Sequence, residues 1–383
     1  MRILFLNYEY PPLGGGAGNA TEYLLREYAK MPDLTVDLVT SSHDSEERVI
    51  QVAPNVTVYA LPIGKDAQAL HYQSMRDLLT YSFKGYAFAK GLMQENRYDA
   101  IHAFFTVPCG VMAWRLGKRF KVPYIVSLRG ADVPGYSERF SLLYAFIRPL
   151  VRRVWRDAAR VVSNSQGLKE LALQTNPAQE IGVIPNGVAT DEFKPSEKGM
   201  KDAVRVICVS RLTPRKGIRY LVEAMRILKD EKGIADAKLT IVGEGDEEAE
   251  LKSLAARLGI QDAVLFRGRV AHDRLPQEYN AADIFCLPSL NEGMSNTLLE
   301  ALASGLPIVA TVTGGTHELV QDGVNGFFVE MQSAEDIAEK LARLMTDPEL
   351  RQRFGAESRK RAEAMSWRVV AERYSEVYGQ AKY

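Results

Sequence analysis

Two glutamates eight positions apart, Glu292 and Glu300, lie in the stretch 288–307, with a run of small and polar residues between them. A carboxylate accepts hydrogen bonds, and the free backbone N–H groups of a helix start donate them. The two side by side suit a hydroxyl-rich ligand such as a sugar. A second chemical group is cationic. Arg211 and Lys216 flank Leu-Thr-Pro-Arg, and both can converge on one diphosphate and neutralise it as a leaving group. Each feature alone has a plainer reading. Glu292 can complement a helix dipole, Glu300 can be a solvated helix residue, and the arginine and lysine can form a solvated basic turn.

The elements that would hold these groups are legible around them. Residues 284–287 form a short apolar run that reads as a buried strand, and Pro288 ends it. A polar loop follows, then a helix over 296–304. Ser295 or Asn296 can cap its start, Gly305 can end it, and Pro307 cannot continue it. Glu300 lies about two turns into that helix, so it faces a different part of a ligand from Glu292. Arg211 follows a strand-like run at 204–209, and Lys216 opens the next helix.

The first strand runs into Pro11-Pro12-Leu13-Gly14-Gly15-Gly16-Ala17-Gly18-Asn19. Consecutive glycines let a backbone approach a ligand and leave N–H groups for phosphate oxygens. The loop is neither a P-loop nor a dinucleotide fingerprint, and a flexible turn is the alternative. His102 ends the strand-like run 100–103 and is a candidate for the site or for the core. Arg129 and Asp132 follow the run 124–128; they bind a ligand or pair with each other.

There is no Asp-x-Asp, no His-Glu-x-x-His and no Gly-x-Ser-x-Gly. No metal site, no cofactor and no acyl-transfer elbow are therefore expected. The 383 residues carry equal numbers of acidic and basic side chains, so no overall field argues for nucleic acid. Cys109, Cys208 and Cys286 lie far apart, each in or beside an apolar run, and read as buried thiols of a reducing compartment. The N-terminal apolar run is too short for a signal peptide and no run is long enough to span a membrane. A cytoplasmic protein is expected. Residues 115–160 hold eleven basic side chains against three acidic ones. Mixed with the aromatic and aliphatic residues of 140–155, they suggest either peripheral contact with the inner face of a membrane or an ordinary amphipathic surface helix.

Strand-like and helix-like runs alternate almost throughout, which predicts parallel sheets covered by helices on both faces. The polar segment 188–203 reads as a linker. The expected organisation is a doubly wound, Rossmann-like domain over 1–195, a second over 196–366, and an aromatic, amphipathic last helix, 367–383, that packs back on the first. Ligands on such sheets bind at the carboxyl ends of strands, so two of them facing each other would hold a ligand in the cleft between.

Taken together, these motifs resemble the retaining glycosyltransferases of family four, with GT-B architecture. The matching pieces are Gly14–Gly16, Ile184-Pro185-Asn186-Gly187-Val188, Ser210-Arg211 with Lys216-Gly217, Val242-Gly243-Glu244-Gly245, Phe266-Arg267-Gly268-Arg269-Val270, and the Glu-x7-Glu pair with Ala301, Ala303 and Gly305-Leu306-Pro307. The resemblance implies a nucleotide-diphosphate sugar, UDP- or GDP-linked, as donor and a saccharide or lipid-linked hydroxyl as acceptor, in polysaccharide or glycoconjugate biosynthesis. It implies that Arg211 and Lys216 hold the diphosphate, and that Glu292 with the backbone of Gly293, Met294, Ser295, Asn296 and Thr297 holds the sugar. Glu300 would hold the ribose, Arg269 and Val270 would meet the base, and Gly15, Gly16 and Asn186 would contribute to donor binding. His102, Arg129 and Asp132 would lie near the transferred sugar or acceptor. Two positions depart from the family pattern. Met294-Ser295 replaces Phe-Gly, and Arg129 stands where many members have histidine; a permanent cation there favours an acidic sugar or a phosphorylated acceptor, unless it pairs with Asp132. Within the same architecture a nucleotide-sugar epimerase and a non-catalytic subunit that binds a partner are the alternatives. The intact Glu-x7-Glu pair and cations argue against both.

Overall fold

The computed structural model describes residues 1–65, 70, 73–136, 141–196 and 203–381, with backbone alone at 141–145. The chain divides into two compact units, residues 1–187 with 367–383, and residues 188–366.

The first unit is built on eight strands: β1 (Arg2–Leu6), β2 (Thr35–Ser42), β3 (Arg48–Ala53), β4 (Val56–Pro62), β5 (Ala100–Phe104), β6 (Tyr124–Leu128), β7 (Arg160–Ser163) and β8 (Gly182–Val183). They lie in the order β3-β4-β2-β1-β5-β6-β7-β8. All neighbours are parallel except β3, which runs antiparallel to β4. The parallel strands are apolar at consecutive positions because helices cover both faces; Ile3, Leu4, Phe5 and Leu6 are all fully buried. Strand β3 has no counterpart among the expected strands. It is an edge strand whose Val49 is 61% exposed, so it lacks the buried apolar run that marks the others.

The second unit has six strands: β9 (Arg205–Val209), β10 (Lys238–Val242), β11 (Val264–Gly268), β12 (Ile284–Leu287), β13 (Ile308–Thr311) and β14 (Gly326–Val329). Their order, β11-β10-β9-β12-β13-β14, is that of a doubly wound nucleotide-binding sheet, with its topological switch between β9 and β12. The register sets Ile284 beside Val206 and Phe285 beside Ile207, so the loops leaving β9 and β12 emerge together.

The division falls between Gly187 and Val188 rather than near 195. Val188 bridges to Ser366, and Phe193 is buried against His272 and Tyr279, ring centroids 5.4 and 5.8 Å away. The start of the polar segment is therefore core of the second unit; residues 197–202 lie outside the described ones. The helix Trp367–Gln380, last in sequence, belongs to the first unit. It buries Trp367, Val370, Ala371, Tyr374 and Tyr378, a stripe at helical spacing. Trp367 stacks on Tyr23 at 5.6 Å. A Cβ at Gly187 would lie 2.7 Å from the Trp367 ring, so only glycine lets the chain pass there.

Candidate active site

In the second unit the chemistry gathers at the switch point. After β9 the chain makes a short turn, Pro214–Lys216, and reaches Gly217 in a left-handed conformation. A Cβ on Gly217 would sit 2.2 Å from the Pro288 carbonyl oxygen. The absence of a side chain lets the turn press against the end of β12, where Leu290 N–H donates to the Arg215 carbonyl at 2.7 Å. Lys216 is thereby brought onto Glu292, and the ammonium and carboxylate form an ion pair. Ser289 Oγ lies 3.4 Å from the same carboxylate oxygen. Both charged side chains are mostly but not wholly buried. Arg211 leaves the same strand end, is exposed, and makes no ion pair among the described residues. Gly243 and Gly245 allow the end of β10 to close on this loop: Cβ atoms there would meet the Ser210 and Leu212 carbonyls at 1.9 and 2.3 Å.

The helix Asn296–Ala303 starts beside the pair. Ser295 caps it, its hydroxyl accepting from Leu298 N–H at 3.4 Å and lying 3.2 Å from the Thr297 hydroxyl. Gly293, Ser295, Asn296 and Thr297 are partly exposed, whereas Met294 turns into the core. Gly315 N–H donates to the Gly293 carbonyl at 2.5 Å, and a Cβ on Gly314 would meet the Glu292 carbonyl at 2.0 Å. The loop after β13 thus supports the loop that carries Glu292. Glu300 is buried. Its Oε2 accepts from the Tyr279 hydroxyl at 2.8 Å, and its Oε1 lies 3.2 Å from His272 Nε2. Arg269 is well exposed, 3.8 Å from Glu244, and Val270 follows it against the core.

The first unit places its residues differently. Gly15 and Gly16 are exposed at the start of the helix Gly16–Tyr28, and Gly15 N–H donates to the Glu9 carboxylate at 3.3 Å. His102, a candidate for the site, is instead in the core. It is fully buried and stacked on Phe5 at 4.6 Å; Nε2 lies 2.7 Å from Ser127 Oγ, and Nδ1 is 2.7 Å from the Tyr378 hydroxyl. Both ring nitrogens are thus occupied internally. Burial, assisted by the Arg129 charge, pushes its pKa down to about 3, so it stays neutral. Of the two readings open for His102, site or core, the structure takes the core, and its expected catalytic role near the transferred sugar is corrected on this geometry.

Asp132 is buried too. Oδ1 accepts from Arg129 and Gly130 N–H at 2.9 and 3.1 Å, and Oδ2 from Thr106 N–H and Oγ1 at 2.7 and 3.0 Å. Burial pushes its pKa up while these donors oppose the rise. Asp132 therefore organises the loop and pairs with the Arg129 backbone, not with its guanidinium. That guanidinium lies 4.3 Å from the centre of the Phe104 ring, and Nη2 donates to Asn186 Oδ1 at 2.7 Å. Asn186 is buried.

Several residues of these sites escaped the sequence reading. Gly314-Gly315 was visible as a glycine pair after an apolar strand. Tyr279, His272 and Tyr374 carried no local signal, because each acts through a partner distant in sequence; Glu9 acts locally, on Gly15 N–H, and was passed over. The basic stretch 115–160 serves the fold in part: Lys118 and Arg156 pair with Asp157, Arg153 lies over Trp114, and Arg152 donates to the Thr175 carbonyl. Phe146 is exposed on the helix Ser141–Arg156. Among the described residues no helix is long and apolar enough to cross a membrane, and no group of three or more His, Cys, Asp or Glu could hold a metal ion.

Comparison with known proteins matches both units. Residues 15–187 match the glycosyl transferase 4-like domain, and residues 189–361 match the glycosyl transferases group 1 family. A glycosyltransferase of Methanocaldococcus jannaschii is 29% identical over 99% of this chain and 98% of its own. A GDP-mannose-dependent phosphatidylinositol monomannoside mannosyltransferase of Mycobacterium tuberculosis is 32% identical over 62% of this chain and 65% of its own. The solved structure of sucrose-phosphate synthase from Thermosynechococcus elongatus superimposes with a TM-score of 0.81 at 24% identity, covering 99% of this chain and 98% of the other. Fold and domain pair define a glycosyltransferase of GT-B architecture that draws on a nucleotide-sugar donor. The chain belongs to the family-four glycosyltransferases.

Proposed function

We propose that the protein is a retaining glycosyltransferase that moves a sugar from UDP or GDP to a hydroxyl of a saccharide or glycolipid acceptor, without a bound metal, in polysaccharide or glycoconjugate biosynthesis. The observation that carries this reading is the Lys216–Glu292 pair at the switch point, beside the start of the helix Asn296–Ala303. Lys216 and the exposed Arg211 supply two cations for a diphosphate, the charge that builds up as the sugar leaves. Glu292 and the N–H groups of Gly293 to Thr297 offer acceptors and donors to the sugar hydroxyls. Glu300, held by Tyr279 and His272, is fixed in orientation for a ribose, and the backbone at Arg269 and Val270 meets the base.

In the retaining step the acceptor oxygen bonds to the anomeric carbon on the face from which the diphosphate departs. The bond from that carbon to the phosphate oxygen breaks, and the acceptor proton passes to the departing phosphate. The supporting chemistry is a pair of cations at the leaving group and no second carboxylate assigned to attack the sugar.

Calorimetric titration with UDP and GDP in the presence of a chelator tests the reading. One nucleotide is expected to bind, and Lys216→Ala to lose that binding. Glu292→Gln releases Lys216 from its carboxylate, so nucleotide binding should hold or tighten while transfer falls by about 100-fold or more. Equal loss of nucleotide binding in both variants, or turnover that disappears with chelator, contradicts the proposal.

A further inference from the structure

We propose that Arg129 is the seat of an anionic group, a carboxylate or a phosphate, on the sugar that the first unit takes. The inference rests on the transferase reading only in naming the bound group a substrate.

Arg129 is the first residue beyond β6. Its guanidinium is packed against the Phe104 ring, bonded to the side-chain oxygen Oδ1 of Asn186, and hydrogen-bonded to the Tyr374 hydroxyl. All three partners are neutral. The carboxylate closest in sequence, Asp132, spends its oxygens on four other donors: the backbone of Arg129 and Gly130, and the backbone and hydroxyl of Thr106. Among the described residues Arg129 makes no ion pair, and its Nε is buried without a hydrogen-bond partner. Desolvation of this cation outweighs what its neutral partners and the more distant Asp132 and Glu9 carboxylates return, and one donor is left over. Doubly wound sheets bind their ligands outside the carboxyl ends of the strands, which is where Arg129 stands.

The neighbouring strand supplies the complement. The register pairs Leu128 of β6 with Ser163 of β7, so Arg129 and Asn164 are each the next residue along. Asn164 is buried, and its side-chain oxygen also lacks a partner. One leftover cationic donor and one leftover neutral acceptor match a ligand with a negative group and a hydroxyl. A sugar acid has both, and so has a sugar phosphate. A neutral sugar would satisfy Asn164 but bring no charge to offset the desolvation of Arg129.

The test is equilibrium binding of glucose, glucuronate, glucose 6-phosphate and inorganic phosphate to the full chain, to Arg129→Gln and to Arg129→Lys. The native protein is expected to bind glucuronate or glucose 6-phosphate at least about tenfold more tightly than glucose, the size of a charge-assisted hydrogen bond. Arg129→Gln should erase that preference; Arg129→Lys, which keeps the charge but not the planar fork, should keep part of it. Preference for glucuronate assigns a sugar acid, and preference for glucose 6-phosphate or phosphate assigns a phosphorylated sugar. Equal affinity for glucose and the anions, no anion binding at millimolar concentration, or a preference that survives Arg129→Gln overturns the proposal. Titration of the same preparations with UDP and GDP reports on the second unit. Failure there, with anion binding intact, would sink the transferase reading and leave the anion site standing.

Discussion

His102 is the middle residue of β5, not its end, and is structural. Its two nitrogens join Ser127 of the neighbouring strand to Tyr378 of the last helix, and Tyr378 in turn meets the Tyr28 hydroxyl at 2.9 Å. The network has a pH consequence. Folded, His102 has a pKa of about 3, against 6.5 when exposed. Above pH 6.5 both states hold it neutral and stability does not depend on it. Between pH 6.5 and about 3 the unfolded chain takes a proton that the folded one refuses, so stability falls as pH falls, by up to about 1.4 kcal/mol per pH unit. Chemical denaturation between pH 6 and 4 should therefore show a shallower pH slope in His102→Gln than in the native protein, by about one proton. An unchanged slope would mean the imidazole protonates in the fold. Sequence could place His102 in a strand, though two residues short of its true end, but not its surroundings, because Tyr374 and Tyr378 enter the network from about 270 residues away. Glu292 and Lys216 were legible for the opposite reason. Each sits on a short loop directly after its own apolar strand, so local spacing places it.

Among the elements, the loops after β12 and β13 act as one support. Gly314 has φ +39, and a Cβ there would lie 2.0 Å from the Glu292 carbonyl and 2.4 Å from that of Gly293. These are backbone atoms and cannot swing aside as a side-chain tip would. Gly314→Ala should push the Glu292 loop outward and separate it from Lys216. The expected result is a loss of transfer of about tenfold or more, because small misplacements of a reacting group are costly. The loss in melting temperature should be modest, as the strands themselves are untouched. Activity within a factor of two of native would show that the loop does not need this contact. The parallel strands were readable because burial on both faces makes them continuous apolar runs. Strand β3 was not, because one exposed edge strand needs no such run.

At the scale of the molecule, the first unit is closed by a helix that the chain makes last. Residues 1–187 leave a surface that Trp367, Val370, Ala371, Tyr374 and Tyr378 cover, and the Tyr378 and Tyr374 hydroxyls satisfy His102 and Ser127 within it. Each large apolar side chain contributes roughly 1.5–3 kcal/mol on burial. Together they rival the total stability of a domain, about 5–15 kcal/mol. The second unit draws on its own contiguous core, from Val188 to Ala362. Ending the chain at Ser366 should therefore affect the two units unequally. The first should unfold at a much lower temperature or fail to fold, exposing Tyr28 and His102. The second should keep its transition, and limited proteolysis should leave a resistant fragment near 188–366 that still binds the nucleotide of the full chain. A truncated protein that unfolds in one transition at the native temperature would show that the last helix adds little to the first unit. Loss of both transitions together would show that the second unit does not fold independently of the first.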